Sequence, residues 1–236
     1  MSIPREKCYL LISKKEGIFL IKAVIFDFDG LILDTETAWY EAYKETMGFY
    51  KSDLPLEHFV KCIGTDDTEL HKFFKEQLGE SCSIEEIEAR AKSIHKVKMK
   101  TSEAREGVKD YLEEAKKVGY KIALASSSTK EWVTHYLGEL GLLNYFEVII
   151  TGDTVDKVKP APDLYLKAIE VLNIHPTEAV AFEDSLNGLQ AALAAGLKCV
   201  IVPNPVTEAL AFENHHLRLK SMVEKSLTDV IKIIEQ

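Results

Sequence analysis

Four short polar segments of this chain carry side chains that could do chemistry together. They are "DFDG" with Asp27 and Asp29, "SSS" with Ser126, Ser127 and Ser128, "KVKPAPD" with Lys159, and "FEDS" with Glu183 and Asp184. Carboxylate oxygens are the hard ligands that suit Mg²⁺, whereas a hydroxyl group and a lysine suit the oxygens of a phosphate. These residue types therefore predict a site that holds a magnesium ion and a phosphoryl group.

Stretches typical of β-strands precede these segments. Residues 20–27, "LIKAVIFD", form a nearly continuous apolar run rich in Ile, Val and Phe, as expected for a strand buried on both faces of a parallel sheet. Further strands are predicted at residues 121–126, 146–150, 179–184 and 198–202. Strands that alternate with helices of about 10–15 residues predict right-handed βαβ units. Because ligands bind outside the carboxyl ends of parallel strands, we expect the four segments to meet at one edge of the sheet.

The stretch between the first two predicted strands has a different character. From about Thr35 to Lys100, apolar residues recur at helical spacing among many charges, which indicates a helical insertion. The predicted fold is α/β, with a Rossmann-like, doubly wound parallel sheet as the core and a helical domain inserted after the first strand. We expect residues 20–34 and 103–236 to form the core domain and residues 35–102 to form the insertion.

Residues 1–19 precede the predicted core and are treated as an N-terminal extension. The string "KKEG" can be encoded by a sequence that resembles a ribosome-binding site, and Leu20 can be encoded by a TTG start codon. Our hypothesis is that the native chain begins at Leu20 and that the extension is a gene-start artefact. The alternative is a genuine N-terminal segment, and the intact mass of the protein made from its native gene distinguishes the two.

Composition limits the partners and the cellular compartment. The chain has 236 residues, with 29 Lys and Arg against 38 Asp and Glu, so its formal net charge is −9. This acidic, globular composition argues against a nucleic-acid surface. Its four scattered cysteines suit reduced thiols, and no apolar run reaches membrane-spanning length. We expect a cytoplasmic monomer that binds a small phosphorylated metabolite and neither nucleic acid nor a membrane.

Each polar segment also has a plain structural explanation when it is taken alone. The two aspartates of "DFDG" could form a turn, the serines could cap a helix, and Lys159 could be a solvated loop residue. Glu183 and Asp184 could begin a helix, where acidic residues are favourable. The occurrence of all the segments in order, each associated with a predicted strand end, favours a functional site.

With these segments in place, the sequence resembles the haloacid-dehalogenase superfamily of phosphohydrolases. "DFDGLILDT", "ALASSS", "KVKPAPD" and "AFEDSLNG" resemble its four motifs, and the resemblance extends from about Leu20 to Val202. The chain is most similar to the branch with a small helical cap after the first motif. That branch includes sugar-phosphate phosphatases and β-phosphoglucomutases.

The resemblance implies a role for each polar residue. Asp27 would be the nucleophile that forms an aspartyl-phosphate, and Asp29 would be the general acid and base. The Mg²⁺ ligands would be Asp27, the backbone carbonyl of Asp29, Glu183 and Asp184. The phosphoryl oxygens would be held by Ser126, Ser127 and Lys159.

Two differences from the mutases favour simple hydrolysis. Mutases carry a His twelve residues after the nucleophile, where this chain has Trp39, and an Arg in the cap loop, where it has Asp67. An acidic residue there would repel a second phosphate. The expected function is thus Mg²⁺-dependent hydrolysis of a phosphomonoester, a sugar phosphate in particular. The alternatives are a β-phosphoglucomutase-like isomerase and a phospho-accepting or binding domain without turnover.

Residues of the cap would select the substrate. Trp39 and Tyr43 could stack on it, and Thr65 and Asp66 could bind its hydroxyl groups. The alternative is that the two aromatic residues fill the apolar stripe of a cap helix, and that Thr65 and Asp66 belong to a turn after Gly64.

Overall fold

The structure, a computed structural model, describes residues 21–63, 67–79, 82–101 and 103–236. Within these residues, all strands belong to one parallel sheet with the order β3-β2-β1-β4-β5-β6. The strands are β1 (Ala23–Phe26), β2 (Lys121–Ala125), β3 (Val148–Ile150), β4 (Ala179–Glu183), β5 (Lys198–Ile201) and β6 (Leu217–Arg218). The N-terminal extension and the hypothesised start at Leu20 both lie outside the described residues.

The central strand β1 determines where a ligand can bind. All four of its residues are buried, which explains its apolar "AVIF" sequence. Phe26 pairs with Leu124 of β2 on one side and with Phe182 of β4 on the other. After β1 the chain forms β2 and β3 on one side of it, and β4, β5 and β6 then lie on the other side. A crevice for ligands is expected at such a reversal of strand order.

Helices cover both faces of the sheet. They are α5 (Val108–Val118), α6 (Lys130–Glu139), α7 (Asp163–Leu172), α8 (Leu186–Ala194) and α9 (Leu227–Glu235). One face packs against buried residues of α5, α6 and α9, such as Tyr111, Val133 and Val230. The other face packs against α7 and α8 through residues such as Tyr165 and Leu189. The predicted doubly wound architecture is therefore confirmed.

The insertion after β1 is helical, as predicted. It contains α1 (Thr35–Phe49), α2 (Leu56–Phe59), α3 (Thr68–Leu78) and α4 (Ile84–Lys98), followed by a 3₁₀ turn at Met99–Thr101. These helices enclose a separate apolar cluster that includes Met47, Phe59 and Phe74. A core residue, Val206, also packs into this cluster. The domain boundaries at residues 35 and 102 stay a prediction.

The structure adds elements that the sequence patterns did not indicate. The short edge strand β6 and the C-terminal helix α9 were not predicted. Helix α9 begins where Ser226 caps its first turn by accepting a hydrogen bond from the Asp229 amide. In the part of the chain that the structure describes, no helix combines the length and apolarity needed to cross a membrane.

Candidate active site

Three predicted site residues meet where β1 and β4 end. Asp27 follows β1, Glu183 is the last residue of β4 and Asp184 follows it, and all three are buried. Lys159, from the loop between β3 and α7, lies between two of these carboxylates and is 1% exposed. Its Nζ is 2.5 Å from Oδ1 of Asp27 and 2.7 Å from Oε1 of Glu183. The sheet thus brings together these residues, as predicted from their positions after strands.

Burial strongly affects the ionisation of this group. It raises the pKa of Asp27 to about 8, although the neighbouring Lys159 ammonium acts in the opposite direction. The pKa of Asp184 is raised by burial and by the charges of Asp27 and Glu183. Burial alone would lower the pKa of Lys159, but the adjacent carboxylates Asp27 and Glu183 raise it. Lys159 is therefore a cation that the neighbouring carboxylates stabilise.

The acidic cluster fits a divalent cation. Asp27, Glu183 and Asp184 each offer an oxygen, and these oxygens lie within 4.8 Å of one another. Oε2 of Glu183 and Oδ1 of Asp184 are buried without a hydrogen-bond partner among the described residues. If all three carboxyl groups ionise, one ammonium leaves two negative charges, and the raised pKa values of Asp27 and Asp184 reflect the cost of burying them. A hard dication such as Mg²⁺ would satisfy these oxygens.

At two glycines, the backbone passes close to the carboxylates of the acidic cluster. Gly188, in the first turn of α8, lies so near Glu183 that a Cβ atom would overlap its carboxylate. Gly30 has φ +78°, and a Cβ there would overlap the carboxylate of Asp184. The atom that this Cβ would overlap most closely, Oδ2 of Asp184, accepts a hydrogen bond of 2.7 Å from Asn204. Glycine at positions 30 and 188 is thus required by the space that the carboxylates occupy.

Asp29 is held by four hydrogen-bond donors. Its Oδ1 accepts hydrogen bonds from Thr35 Oγ1 at 3.0 Å and from Trp132 Nε1 at 2.9 Å. Its Oδ2 accepts them from Ser128 Oγ at 2.7 Å and from Ser126 Oγ at 3.3 Å. Because a carboxylate has about four acceptor positions, these four donors fix its orientation.

The predicted phosphate-binding residues Ser126 and Ser127, and their neighbour Ser128, surround the same space. Ser126, Ser127 and Ser128 all line the cavity described below. The amide of Ser128 donates to Oγ of Ser126 at 3.0 Å, which forms a tight turn after β2. Lys159 contacts Asp27 and Glu183 in the structure, and its role in holding phosphoryl oxygens stays a prediction.

A cavity of about 390 Å³ connects these residues to the insertion. Its inner end is formed by the core residues Asp27, Asp29, Ser126, Ser127, Ser128, Thr129, Trp132, Asp184 and Ser185. Its outer end is formed by Glu36, Trp39, Tyr43, Phe59, Cys62, Ile63 and Asp67. The predicted substrate-selecting residues Trp39 and Tyr43 therefore line the cavity, whereas Thr65 and Asp66 lie outside the described residues.

The aromatic residues at the outer end also pack within the insertion. Trp39 stacks on His95 of α4 with ring centres 3.8 Å apart, and on Tyr43 at 5.6 Å. His95 in turn contacts the ring of Trp132 from the core at 5.8 Å. Trp39 and Tyr43 therefore line the cavity and also pack within the insertion, and their stacking on a substrate stays a prediction.

Several residues of the site had not been identified from the sequence. Trp132 lies in the first turn of α6, next to the "SSS" segment, and this position at the carboxyl edge of the sheet is a usable signal. Arg105 and Asn204 carry no such signal. The Arg105 guanidinium donates to the carbonyls of Gly30, Val202 and Pro203 at 2.5–3.0 Å, and so connects loops that are distant in sequence.

Known proteins are similar to this chain in sequence and architecture. The family model described as haloacid dehalogenase-like hydrolase matches residues 24–202. The chain is 48% identical over 209 residues to "Putative phosphatase YhcW" of Bacillus subtilis, covering 88% of this chain and 95% of that protein. It is 34% identical over 182 residues to the phosphorylated carbohydrates phosphatase of Thermotoga maritima, covering 75% of this chain and 83% of that protein.

A solved structure agrees with the sequence relatives. The crystal structure of a CbbY mutant from Rhodobacter sphaeroides in complex with xylulose-1,5-bisphosphate is 29% identical, with a TM-score of 0.73. The match covers 89% of this chain and 98% of that one. The family model and the sequence relatives confirm the predicted enzyme class, a phosphatase of this type. The chain belongs to the haloacid dehalogenase-like hydrolase family.

Proposed function

We propose that this protein is a Mg²⁺-dependent phosphomonoester hydrolase that acts on a small phosphorylated metabolite, a sugar phosphate, through an aspartyl-phosphate on Asp27. The observation that carries the proposal is the buried group of Asp27, Glu183, Asp184 and Lys159 at the inner end of the cavity. The phosphatases of carbohydrates among its relatives support the substrate class.

In the first step, the Asp27 carboxylate attacks phosphorus. Lys159 engages Oδ1 of Asp27 and so orients the carboxylate for attack by its other oxygen. A bond forms between that oxygen and phosphorus, and the bond from phosphorus to the ester oxygen breaks. Asp29 donates a proton to the departing alkoxide, which leaves as an alcohol.

In the second step, the same residues release phosphate. Asp29 takes a proton from a water molecule as the water oxygen attacks phosphorus. The bond to Asp27 breaks, so the carboxylate is restored and inorganic phosphate leaves. Dividing the displacement in this way replaces one difficult step with two easier ones.

The metal would be held by Asp27, Glu183 and Asp184, with the backbone carbonyl of Asp29 as a further ligand. A bound Mg²⁺ neutralises negative charge on the phosphoryl group and its nucleophile. The serines 126 and 127 would hold the phosphoryl oxygens. Lys159 would balance the carboxylate charge and contribute a cation near those oxygens.

The insertion, proposed as a cap domain of residues 35–102 over a core of residues 20–34 and 103–236, would exclude water from the cavity. Trp39, Tyr43 and Phe59 supply its apolar wall over the polar inner end. Hydrolysis is favoured over a mutase reaction because Asp67, at the outer end, opposes the second phosphate that a mutase must bind.

Phosphate release tests the proposal. Wild type is compared with Asp27→Asn on sugar phosphates, nucleotides and an aryl phosphate, with Mg²⁺ and with a chelator. Asp110→Asn, an exposed position in α5, is the matched control. We expect metal-dependent release that is abolished only by Asp27→Asn. Release by Asp27→Asn at the wild-type rate, or undiminished release in chelator, would contradict the mechanism.

A further inference from the structure

One hydrogen bond joins the insertion to the core beside the acidic cluster. Nδ2 of Asn187, in the first turn of α8, donates to the carbonyl of Ile63 at 2.7 Å, although the two residues are 124 positions apart. Ile63 is buried and Asn187 is half-buried. Because a buried carbonyl needs a donor, this contact is a directional link between the insertion and the core.

The segment that accepts the hydrogen bond forms part of the outer wall of the cavity. Phe59, Cys62 and Ile63 all line the cavity, and residues 59–63 are called the wall segment below. It follows the four-residue helix α2 and continues as a turn, in which the Cys62 amide donates to the Phe59 carbonyl at 3.1 Å. A single helical turn has little stability of its own, so tertiary contacts determine where the wall segment lies.

The donor side of the link belongs to the turn that holds the acidic cluster. Asn187 lies between Ser185, which lines the cavity, and Gly188, whose backbone packs against the Glu183 carboxylate. Oγ of Ser185 accepts a hydrogen bond of 3.1 Å from the Gly188 amide, which fixes the turn. Asn187 therefore has a defined position relative to the inner end of the cavity, and it sets the position of the wall segment by the same link.

A second core residue contacts the insertion from another loop of the cluster. Val206 is 5% exposed and belongs to the apolar cluster that also contains Phe59 and Ile63. Its amide donates to Oδ1 of Asn204 at 2.9 Å, and Nδ2 of Asn204 donates to Oδ2 of Asp184. Both contacts with the insertion thus come from loops that are attached to carboxylates of the inner end.

We propose that Asn187 and Val206 are positioning residues that hold the wall segment over the inner end of the cavity. They act through the Ile63 carbonyl and through the apolar cluster of the insertion. By fixing the distance between the two ends of the cavity, they determine how well it holds the organic part of a substrate. The effect on substrates rests on the proposed hydrolase function, whereas the effect on the wall segment does not.

The expected effect is local and of moderate size. Loss of one hydrogen bond between neutral groups should make movements that expose the wall segment about 3- to 10-fold more frequent. The insertion keeps its other contact with the core, in which the ring of His95 lies 5.8 Å from that of Trp132. The remaining helices of the insertion should therefore stay in place.

Alkylation of Cys62 measures the position of the wall segment without any substrate. Cys62 is 7% exposed, so its reaction with iodoacetamide requires the wall segment to move. Modification of each cysteine peptide is followed by mass spectrometry. We expect Cys62 to react about 3- to 10-fold faster in Asn187→Leu than in wild type, with the rate at Cys82, elsewhere in the insertion, unchanged.

Two further variants complete this experiment. Val206→Ala removes part of the second contact, should also accelerate the reaction of Cys62, and provides the test if Asn187→Leu does not fold. Asn144→Leu replaces an exposed asparagine of the core and is the matched control, which should react at the wild-type rate at both cysteines.

Kinetics with two substrates test the effect on the organic part. They are acetyl phosphate, whose organic part is small, and the sugar phosphate that is hydrolysed fastest in the panel described above. We expect Asn187→Leu to raise KM for the sugar phosphate at least about threefold, because binding to the outer wall is lost. KM for acetyl phosphate and both kcat values should change by less than about twofold.

The outcomes separate this inference from the proposed function. A wild-type rate at Cys62 in Asn187→Leu or, should that variant not fold, in Val206→Ala overturns the positioning role. Equal acceleration at Cys62 and Cys82 also overturns it, since the insertion would then be loosened as a whole. An equal rise in KM for both substrates overturns the effect on the organic part. If wild type hydrolyses neither substrate, the proposed function fails and the alkylation rates still decide the positioning role.

Discussion

Trp132→Phe should selectively weaken the step in which Asp29 acts as an acid. The indole Nε1 of Trp132 donates a hydrogen bond of 2.9 Å to Oδ1 of Asp29. Phenylalanine keeps an aromatic ring beside His95 and Tyr136, whose rings lie 5.8 and 4.6 Å from that of Trp132. The substitution therefore removes one donor from the carboxylate and preserves most of the packing.

The size of the effect follows from the hydrogen bonds that Asp29 makes. Asp29 becomes a carboxylate as it gives up its proton, and a hydrogen bond to a charged group contributes about 1.5–3 kcal/mol. Three other donors, Thr35, Ser126 and Ser128, continue to hold the carboxylate, so the lower part of this range applies. A loss of about 1.5–2 kcal/mol corresponds to a rate decrease of about 10- to 30-fold in the step that requires a correctly oriented Asp29.

A series of phosphate esters with different leaving groups measures this decrease. The value of kcat/KM reports the reaction up to the first irreversible step, in which Asp29 protonates the departing oxygen. An alkyl phosphate needs that proton, whereas p-nitrophenyl phosphate has a stable leaving group and does not. We expect Trp132→Phe to lower kcat/KM by about 10- to 30-fold for the alkyl ester and by less than about threefold for the aryl ester.

A neighbouring variant serves as the control. Tyr136→Phe removes only a hydroxyl group, from a ring that packs against Trp132, and should leave both esters at the wild-type rate. An equal decrease for every ester in Trp132→Phe would show that the tryptophan is needed only for structure. An unchanged kcat/KM for the alkyl ester would refute the positioning role altogether.

Three further substitutions test other parts of the molecule. Gly188→Ala places a Cβ against the Glu183 carboxylate and should lower Mg²⁺-dependent activity at least about 100-fold. Gly138→Ala is the control, because a Cβ there meets nothing within 4 Å, and it should leave activity unchanged. Equal activity of the two variants would contradict the metal site. Arg105→Met leaves three backbone carbonyls without their donor and should lower the free energy of unfolding, measured in urea, by about 2–4 kcal/mol. A loss below about 0.5 kcal/mol would mean that water replaces the guanidinium. Burial lowers the pKa of His95 to about 4 in the folded protein, whereas an unperturbed histidine has a pKa of about 6.5. As the pH falls below about 6.5, His95 is therefore protonated in the unfolded chain before it is protonated in the folded one, and this favours unfolding. Between pH 7 and pH 5, wild type should therefore lose about 1–2 kcal/mol more stability than His95→Leu, and parallel losses in chemical denaturation would exclude that role for the histidine.

The sequence was sufficient for the fold because the strands that position the site are short and strongly apolar. The run around β1 and the acidic residues that follow it indicate a buried strand ending at a polar edge, and the same pattern recurs at β4. Helix periodicity likewise identified the insertion. The edge strand β6 has only two residues, Leu217 and Arg218, which is too short for any periodicity to be visible.

The site was less completely predictable because its support comes from contacts distant in sequence. Asp29 is positioned by Trp132, 103 residues later, and Arg105 joins loops that lie up to 98 residues away. Such contacts depend on how helices and loops pack, which residue types and spacing do not determine. The serines and the acidic residues were identifiable because chemistry restricts their types, whereas tryptophan and arginine occur in many roles.

Trapping the covalent intermediate tests the central claim most directly. The enzyme is mixed with Mg²⁺ and a hydrolysed sugar phosphate, quenched in acid during turnover, and digested for mass spectrometry. We predict that the mass of one phosphoryl group is added to the peptide that contains Asp27, that hydroxylamine removes it, and that it is absent in Asp27→Asn. Phosphate release by wild type without any such adduct, or an adduct on one of the serines 126–128, would contradict the account.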